Sequence, residues 1–201
     1  MPRWCFAGMC EHDNNDVARE FRLREFMAAQ GVHLDDISLL DIALTHASYL
    51  PGKETGIRDY ESLEFVGDAV LGLVVATYLY EQIPGKAPGD YTKLRATVVN
   101  KNTVARVSGR MGIAPLVLLG KGEESIGGRK RNSLLADCLE AVIGAVFLSA
   151  GWQVVQRFVL SCFKEELVNV ITAPPTWDYK SMLQNHCQAL HWGLPQFDVV
   201  R

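Results

Sequence analysis

From Tyr60 to Gln82 the chain runs through 23 residues with no proline, lysine or arginine. Within it the stretch ESLEFVGDAVLG carries three carboxylates, Glu61, Glu64 and Asp68. The apolar residues recur at helical rather than alternating spacing, which predicts one long, largely buried helix. On that helix the three acids fall within roughly 60° of one another. Leu63, Phe65, Val66, Val70, Leu73 and Val74 occupy the rest of the circumference. Like charges at three- and four-residue spacing repel, and partial burial makes them costlier. Any fold this chain adopts must offset a narrow acidic stripe on a core helix.

A second segment repeats the arrangement in small. In NSLLADCLEAVIGAVFLSA, Asp137 and Glu140 share a face, with Leu134, Leu135, Leu139, Val142 and Ile143 around them. Two apolar helices with narrow acid stripes are natural packing partners, and if the stripes meet, four or five carboxylates converge. Without counter-charge such a cluster holds protons. A divalent cation resolves the repulsion, and an all-oxygen donor set suits Mg²⁺, with Mn²⁺ as its substitute. Two other readings stand beside this one. Each stripe could be the solvated edge of an amphipathic helix, or the acids could hold a di-iron centre. The second normally uses Glu-x-x-His pairs, and neither acidic helix has a histidine three residues after a glutamate. His46, in THASY, reads as a hydrogen-bonded structural residue.

Almost nothing before residue 172 alternates with period two, so the main body is expected to be all-α. Helices are expected over 17–30, from Asp35 or Asp36 through ISLLDIALTHAS, over 60–82 with Asp59 as N-cap, and over 90–110. Two more follow: one opened by Asn132 or Ser133, and a last long one over 152–171. PGKETGIRD and IPGKAPG read as loops, because their clustered prolines and glycines interrupt a helical pattern. The boundaries follow: an N-terminal extension over 1–16, a helical domain over 17–171, a proline linker over 172–177 and a short module over 178–201. Hydrophobic residues make up 48% of the chain, enough for a sizeable core, and the net charge of −3 provides no overall field for a polyanion. Any nucleic-acid contact must therefore rest on a local basic surface. The odd set of five cysteines, at 5, 10, 138, 162 and 187, has no CxxC pair and reads as reduced thiols. Cys5, Cys10 and His12 lack the second pair a zinc site needs. The run VLGLVVATYLY is about half the length a bilayer requires, so no membrane association is expected.

ESLEFVGDAVLG resembles the signature of the ribonuclease III family, and the likeness extends through an ordered series. LTHASY precedes it, GDYTKLRATVVN and LGKGEESIGGRKRNSLLADCLEAVIGAVFLSAGW follow, and DYKSMLQ closes the series. The resemblance spans roughly residues 19 to 201. It implies an all-α endonuclease domain that dimerises, with one acidic site per subunit. It also implies metal-dependent hydrolysis of both strands of double-stranded RNA to 5′-phosphate and 3′-hydroxyl ends with short 3′ overhangs. Position by position, Glu64, Asp137 and Glu140 match the family's metal ligands, and Asp68 and Glu140 its catalytic acids. Glu61 matches the first glutamate of the signature, with a less direct role. Phe65 sits where the family places an aromatic knob that inserts into the partner of a homodimer. The family further implies a bacterial cytoplasmic enzyme of ribosomal and messenger RNA precursors.

The strongest local basic feature is GGRKR, in a Gly-rich loop beside the second acidic motif. Arg129, Lys130 and Arg131 are therefore candidate RNA contacts, with Lys93, Arg95 and Lys101 as weaker ones. The segment DYKSMLQNHCQALHWGLPQFDVV resembles the first helix and first strand of an α+β double-stranded-RNA-binding domain, which reads duplex shape. The printed sequence stops before that module's other strands and second helix, so weakened RNA affinity is expected. A non-catalytic RNA-binding dimer is the alternative function. Such a protein would be expected to have lost acids from the stripes, whereas all five are present.

Overall fold

The computed structural model describes residues 9–49, 60–172, 179–193 and 195–196. The described residues form ten α-helices: α1 Met9–Ala29, α2 Ser38–Ala43, α3 Tyr60–Gln82, α4 Pro88–Val99, α5 Lys101–Met111, α6 Lys121–Ser125, α7 Asn132–Ala150, α8 Trp152–Cys162, α9 Lys164–Thr172 and α10 Tyr179–Ala189. Among them the only β pairing is an isolated bridge between Thr45 and Leu118. The mostly helical expectation therefore holds. The chain divides into two compact units, Met1–Ile171 and Thr172–Arg201. In the second, α10 ends in a turn in which Leu190 N–H donates to the His186 carbonyl, 3.1 Å away. Residues 50–59, 173–178 and most of PQFDVVR lie outside the described set, and with them the Asp59 cap, the proline linker and the strand.

Helix α7 is the centre of the first unit, packed against α2, α3, α5 and α8. Its residues from Leu134 to Val146 are largely buried, including Leu139, Val142, Ile143 and Val146 at 0% exposure. By length and composition α3 and α7 could each cross a membrane, but here their apolarity makes the interior of a helical bundle. They meet backbone to backbone. A Cβ on Gly67 of α3 would lie 1.7 Å from the Glu140 carbonyl oxygen, and one on Gly144 of α7 would lie 2.2 Å from the Leu63 carbonyl oxygen. Only paired glycines permit so close a crossing.

Several boundaries differ from expectation, each for a local reason. Helix α1 begins at Met9, eight residues before the expected start, so part of the presumed loose extension is helical. Neither Asp35 nor Asp36 occupies the N-cap of α2, which is Ile37 without a side-chain cap; the Asp36 carboxylate instead accepts the Ser38 N–H at 2.8 Å in the turn that leads into the helix. The helix expected over 90–110 is two. At Asn100 (φ −70°, ψ 152°) the backbone leaves the helix, and the Asn100 side chain accepts the Thr103 N–H at 3.0 Å to start α5. The last helix is likewise interrupted at Phe163, which is wholly buried. Helix α7 opens at Asn132, as expected, behind Arg131 at its N-cap position, which provides no side-chain cap.

The segments flanking the acidic helices are braced to each other. His46 N–H donates to the Leu118 carbonyl and Leu118 N–H to the Leu44 carbonyl. Ser48 Oγ accepts the Gly120 N–H at 2.9 Å. His46 Nδ1 accepts the Ser48 N–H at 3.1 Å, and its ring lies 5.4 Å from that of Tyr60. THASY is thus a structural splice, tying the chain before α3 to the chain before α7.

Candidate active site

The glycine crossing pools the acids. Glu64 and Asp68 flank Gly67 on α3, and Glu140 lies one turn before Gly144 on α7, with Asp137 one turn earlier still. Glu61, Glu64, Asp68, Asp137 and Glu140 line one open cleft of about 550 Å³, together with Tyr60 and Phe65. Within it Glu64, Asp137 and Glu140 each offer a carboxylate oxygen, all within 4.8 Å of one another. Those three are half-buried, whereas Glu61 and Asp68 stand exposed at the rim.

The electrostatics follow from the crowding. Burial, then repulsion from Asp68, Glu64 and Asp137, pushes the Glu140 carboxyl up to about 7. Burial and Asp137 likewise raise Glu64 above the ordinary carboxylate range. Burial and the charges of Asp137, Glu64 and Glu61 raise the phenol of Tyr60, so it remains protonated. The neighbouring Cys138 thiol is raised by burial to about 12 and is inert. Half-buried, repelling, all-oxygen and converging to within 4.8 Å, the three carboxylates fit a hard divalent cation.

One residue in the cluster carries the opposite charge. Lys101, the first residue of α5, places Nζ 2.8 Å from Asp137 Oδ1. Neither acidic helix supplies a cation, as the sequence indicated, but a third helix does. Lys101 entered the sequence reading only as a weak RNA contact. The signal for its true neighbourhood was the Asn100 cap, which decides where α5 starts.

The GGRKR segment is more ordered than a flexible loop, since α6 and a 3₁₀ turn over Gly128–Lys130 shape it. The Arg129 guanidinium is used inside it. It pairs with Glu124 at 2.6 Å and donates to the carbonyls of Ala114 and Val117. Arg131 pairs with Glu123. Lys130 is exposed and has no ion pair among the described residues. Lys93 and Arg95 are exposed on α4. Phe65 is 79% exposed, at the cleft edge rather than in the core.

The chain is similar to known proteins in sequence and in fold. The family model described as Ribonuclease-III-like matches residues 36–167. Ribonuclease 3 of Moorella thermoacetica is 42% identical over 179 residues, covering 87% of this chain and 74% of that one. Ribonuclease 3 of Coxiella burnetii is 38% identical over 177 residues, covering 88% and 73%. Among solved structures, the nuclease domain of ribonuclease III from Campylobacter jejuni superposes with a TM-score of 0.66 at 35% identity. It covers 72% of this chain and 97% of that one, and is described as flexible in a region involved in dimer formation. The family match and the likeness to a solved nuclease domain define the class: this helical bundle is a nuclease domain. The chain belongs to the ribonuclease III family, as a ribonuclease III-type endonuclease.

Proposed function

We propose that this protein hydrolyses both strands of double-stranded RNA, using a divalent cation held by Glu64, Asp137 and Glu140. The observation that carries this reading is the convergence of those three carboxylates to within 4.8 Å in a cleft shared with Asp68 and Glu61. Mg²⁺ is the natural occupant, and Mn²⁺ a substitute. A bound cation of this kind supplies Lewis-acid polarisation of the phosphodiester and eases deprotonation of water. The chain's residues do the rest. Asp68, exposed at the rim, takes the proton of the water that attacks phosphorus in line. The P–O3′ bond breaks, leaving a 5′-phosphate and, once protonated, a 3′-hydroxyl. Glu140 would hold the cation as a carboxylate, its proton having passed to solvent, and Glu61 adds negative potential at the mouth of the cleft. Tyr60, neutral and buried beside them, walls the cleft.

Both strands are cut if two copies pair about a two-fold axis, since an antiparallel duplex then meets two equivalent sites. Phe65, Leu73 and Tyr80 support that pairing. They lie on one side of α3, within roughly 80° of each other, and are 79%, 55% and 69% exposed. Lys130 meets the duplex backbone, while Arg129 and Arg131 shape the loop that presents it. The unit over Thr172–Arg201 serves in duplex binding, and the targets are ribosomal and messenger RNA precursors in the cytoplasm. The alternative, a non-catalytic RNA-binding dimer, would not need five acids in one cleft. The test is cleavage of a long RNA duplex with Mg²⁺. The unmodified chain should cut, and EDTA or Glu140→Ala should abolish cutting. Undiminished cleavage by that variant would remove Glu140 from the site.

A further inference from the structure

The position of Lys101 is not explained by its own helix. It opens α5, where the helix dipole disfavours a cation. Its stem is more than half exposed, at 57%, yet its ammonium reaches in to Asp137, which is only 16% exposed. Asp137 also belongs to the carboxylate triad. One carboxylate therefore faces two claimants: a covalently tethered monovalent cation and the divalent ion of the proposed site.

Resting on that reading of the triad, we infer that Lys101 is a built-in competitor for Asp137. It offsets the charge of Asp137 when no metal is bound and raises the divalent-ion concentration at which the site fills. The break at Asn100 gives it this place. Were α4 continuous with α5, residue 101 would fall in mid-helix rather than at a free N-terminus facing α7. The four-carbon stem and outward exposure let the ammonium withdraw without disturbing the core. Lys101 is thus a positioning residue rather than a catalytic one.

The test compares Mn²⁺ binding by the unmodified chain, Lys101→Met and Lys101→Arg, using calorimetry and the Mn²⁺ electron paramagnetic resonance signal. Removing a unit charge several ångströms from a divalent ion should tighten binding on the order of ten-fold in Lys101→Met. Lys101→Arg should remain near the unmodified value, and the difference should shrink at high salt. In EDTA, Lys101→Met should melt at lower temperature, with Mn²⁺ restoring the loss. Equal Mn²⁺ affinities in the unmodified chain and Lys101→Met would overturn the competition while leaving the metal site standing. Absence of Mn²⁺ binding in all three proteins would overturn the site, and the competition with it.

Discussion

Replacing Gly67 with alanine probes the crossing on which the acidic cleft depends. The new methyl carbon would lie 1.7 Å from the Glu140 carbonyl oxygen and 2.5 Å from its carbonyl carbon. Ordinary van der Waals contact begins at 3.4 Å, so the shortfall against the oxygen is 3.4 − 1.7 = 1.7 Å. The obstacle is helical backbone, which cannot swing aside as a side chain can, so α3 and α7 must part. Overpacking of this kind costs about 1–3 kcal/mol and occasionally more. The greater effect falls on the site, because Glu64 and Asp68 ride on one helix and Asp137 and Glu140 on the other. A misplacement of about 1 Å can lower turnover by roughly a hundred-fold. Gly67→Ala should therefore weaken Mn²⁺ binding and cut duplex cleavage at least that far, with circular dichroism still reporting a helical protein. Gly72→Ala, on the same helix with nothing within 4 Å of its Cβ, is the control. It should gain about 0.5–1 kcal/mol from helix propensity and keep its activity. If Gly67→Ala matched Gly72→Ala in melting temperature, Mn²⁺ affinity and cleavage, the close crossing would not be what assembles the site.

Other perturbations separate the remaining elements. Glu140 titrates near 7 in the fold and near 4.5 unfolded, so its contribution is complete below about pH 4.5 and fades as pH rises through 7. Glu64, also raised, acts in the same direction. In EDTA the melting temperature should fall across that window, and Glu140→Gln should flatten the fall. Calorimetry near pH 6 should show about one proton released per divalent ion bound. Phe65→Ala should leave the monomer's stability nearly unchanged but weaken self-association by about 1.5–3 kcal/mol, measured by sedimentation. An unchanged dimer would take Phe65 out of the interface. Arg129→Ala leaves the part-buried carbonyls of Ala114 and Val117 without their donor, so it should destabilise by about 1–3 kcal/mol, read as a lower melting temperature. Lys130→Ala should instead lower the salt dependence of duplex binding by about one charge.

The acidic site was legible because its determinants are local. The carboxylates and the glycines lie within a turn or two of each other in two short motifs, and helical period alone puts Glu61, Glu64 and Asp68 on one face. The pairing of α3 with α7 was also readable, since two apolar helices with acid stripes have few other ways to pack. Interruptions inside helical patterns were hidden. Val98, Val99 and Val104 carry the apolar rhythm straight through Asn100, and the extended backbone there and the capping bond to Thr103 mark where a new helix begins. Lys101 was misread for the same reason, because its pairing with Asp137 joins residues 36 positions apart and depends on that break. Arg129 looked like a surface charge in a glycine-rich loop. Its partners, the carbonyls of Ala114 and Val117, are backbone atoms with no signature in side-chain pattern.

The central claim, that two helices pool their acids to hold one cation, is tested most directly by anomalous diffraction from crystals grown with Mn²⁺. The expected result is a peak about 2.0–2.2 Å from carboxylate oxygens of Glu64, Asp137 and Glu140, with the Lys101 ammonium moved off Asp137. A cleft without anomalous signal at saturating Mn²⁺, the lysine still on Asp137, would contradict it.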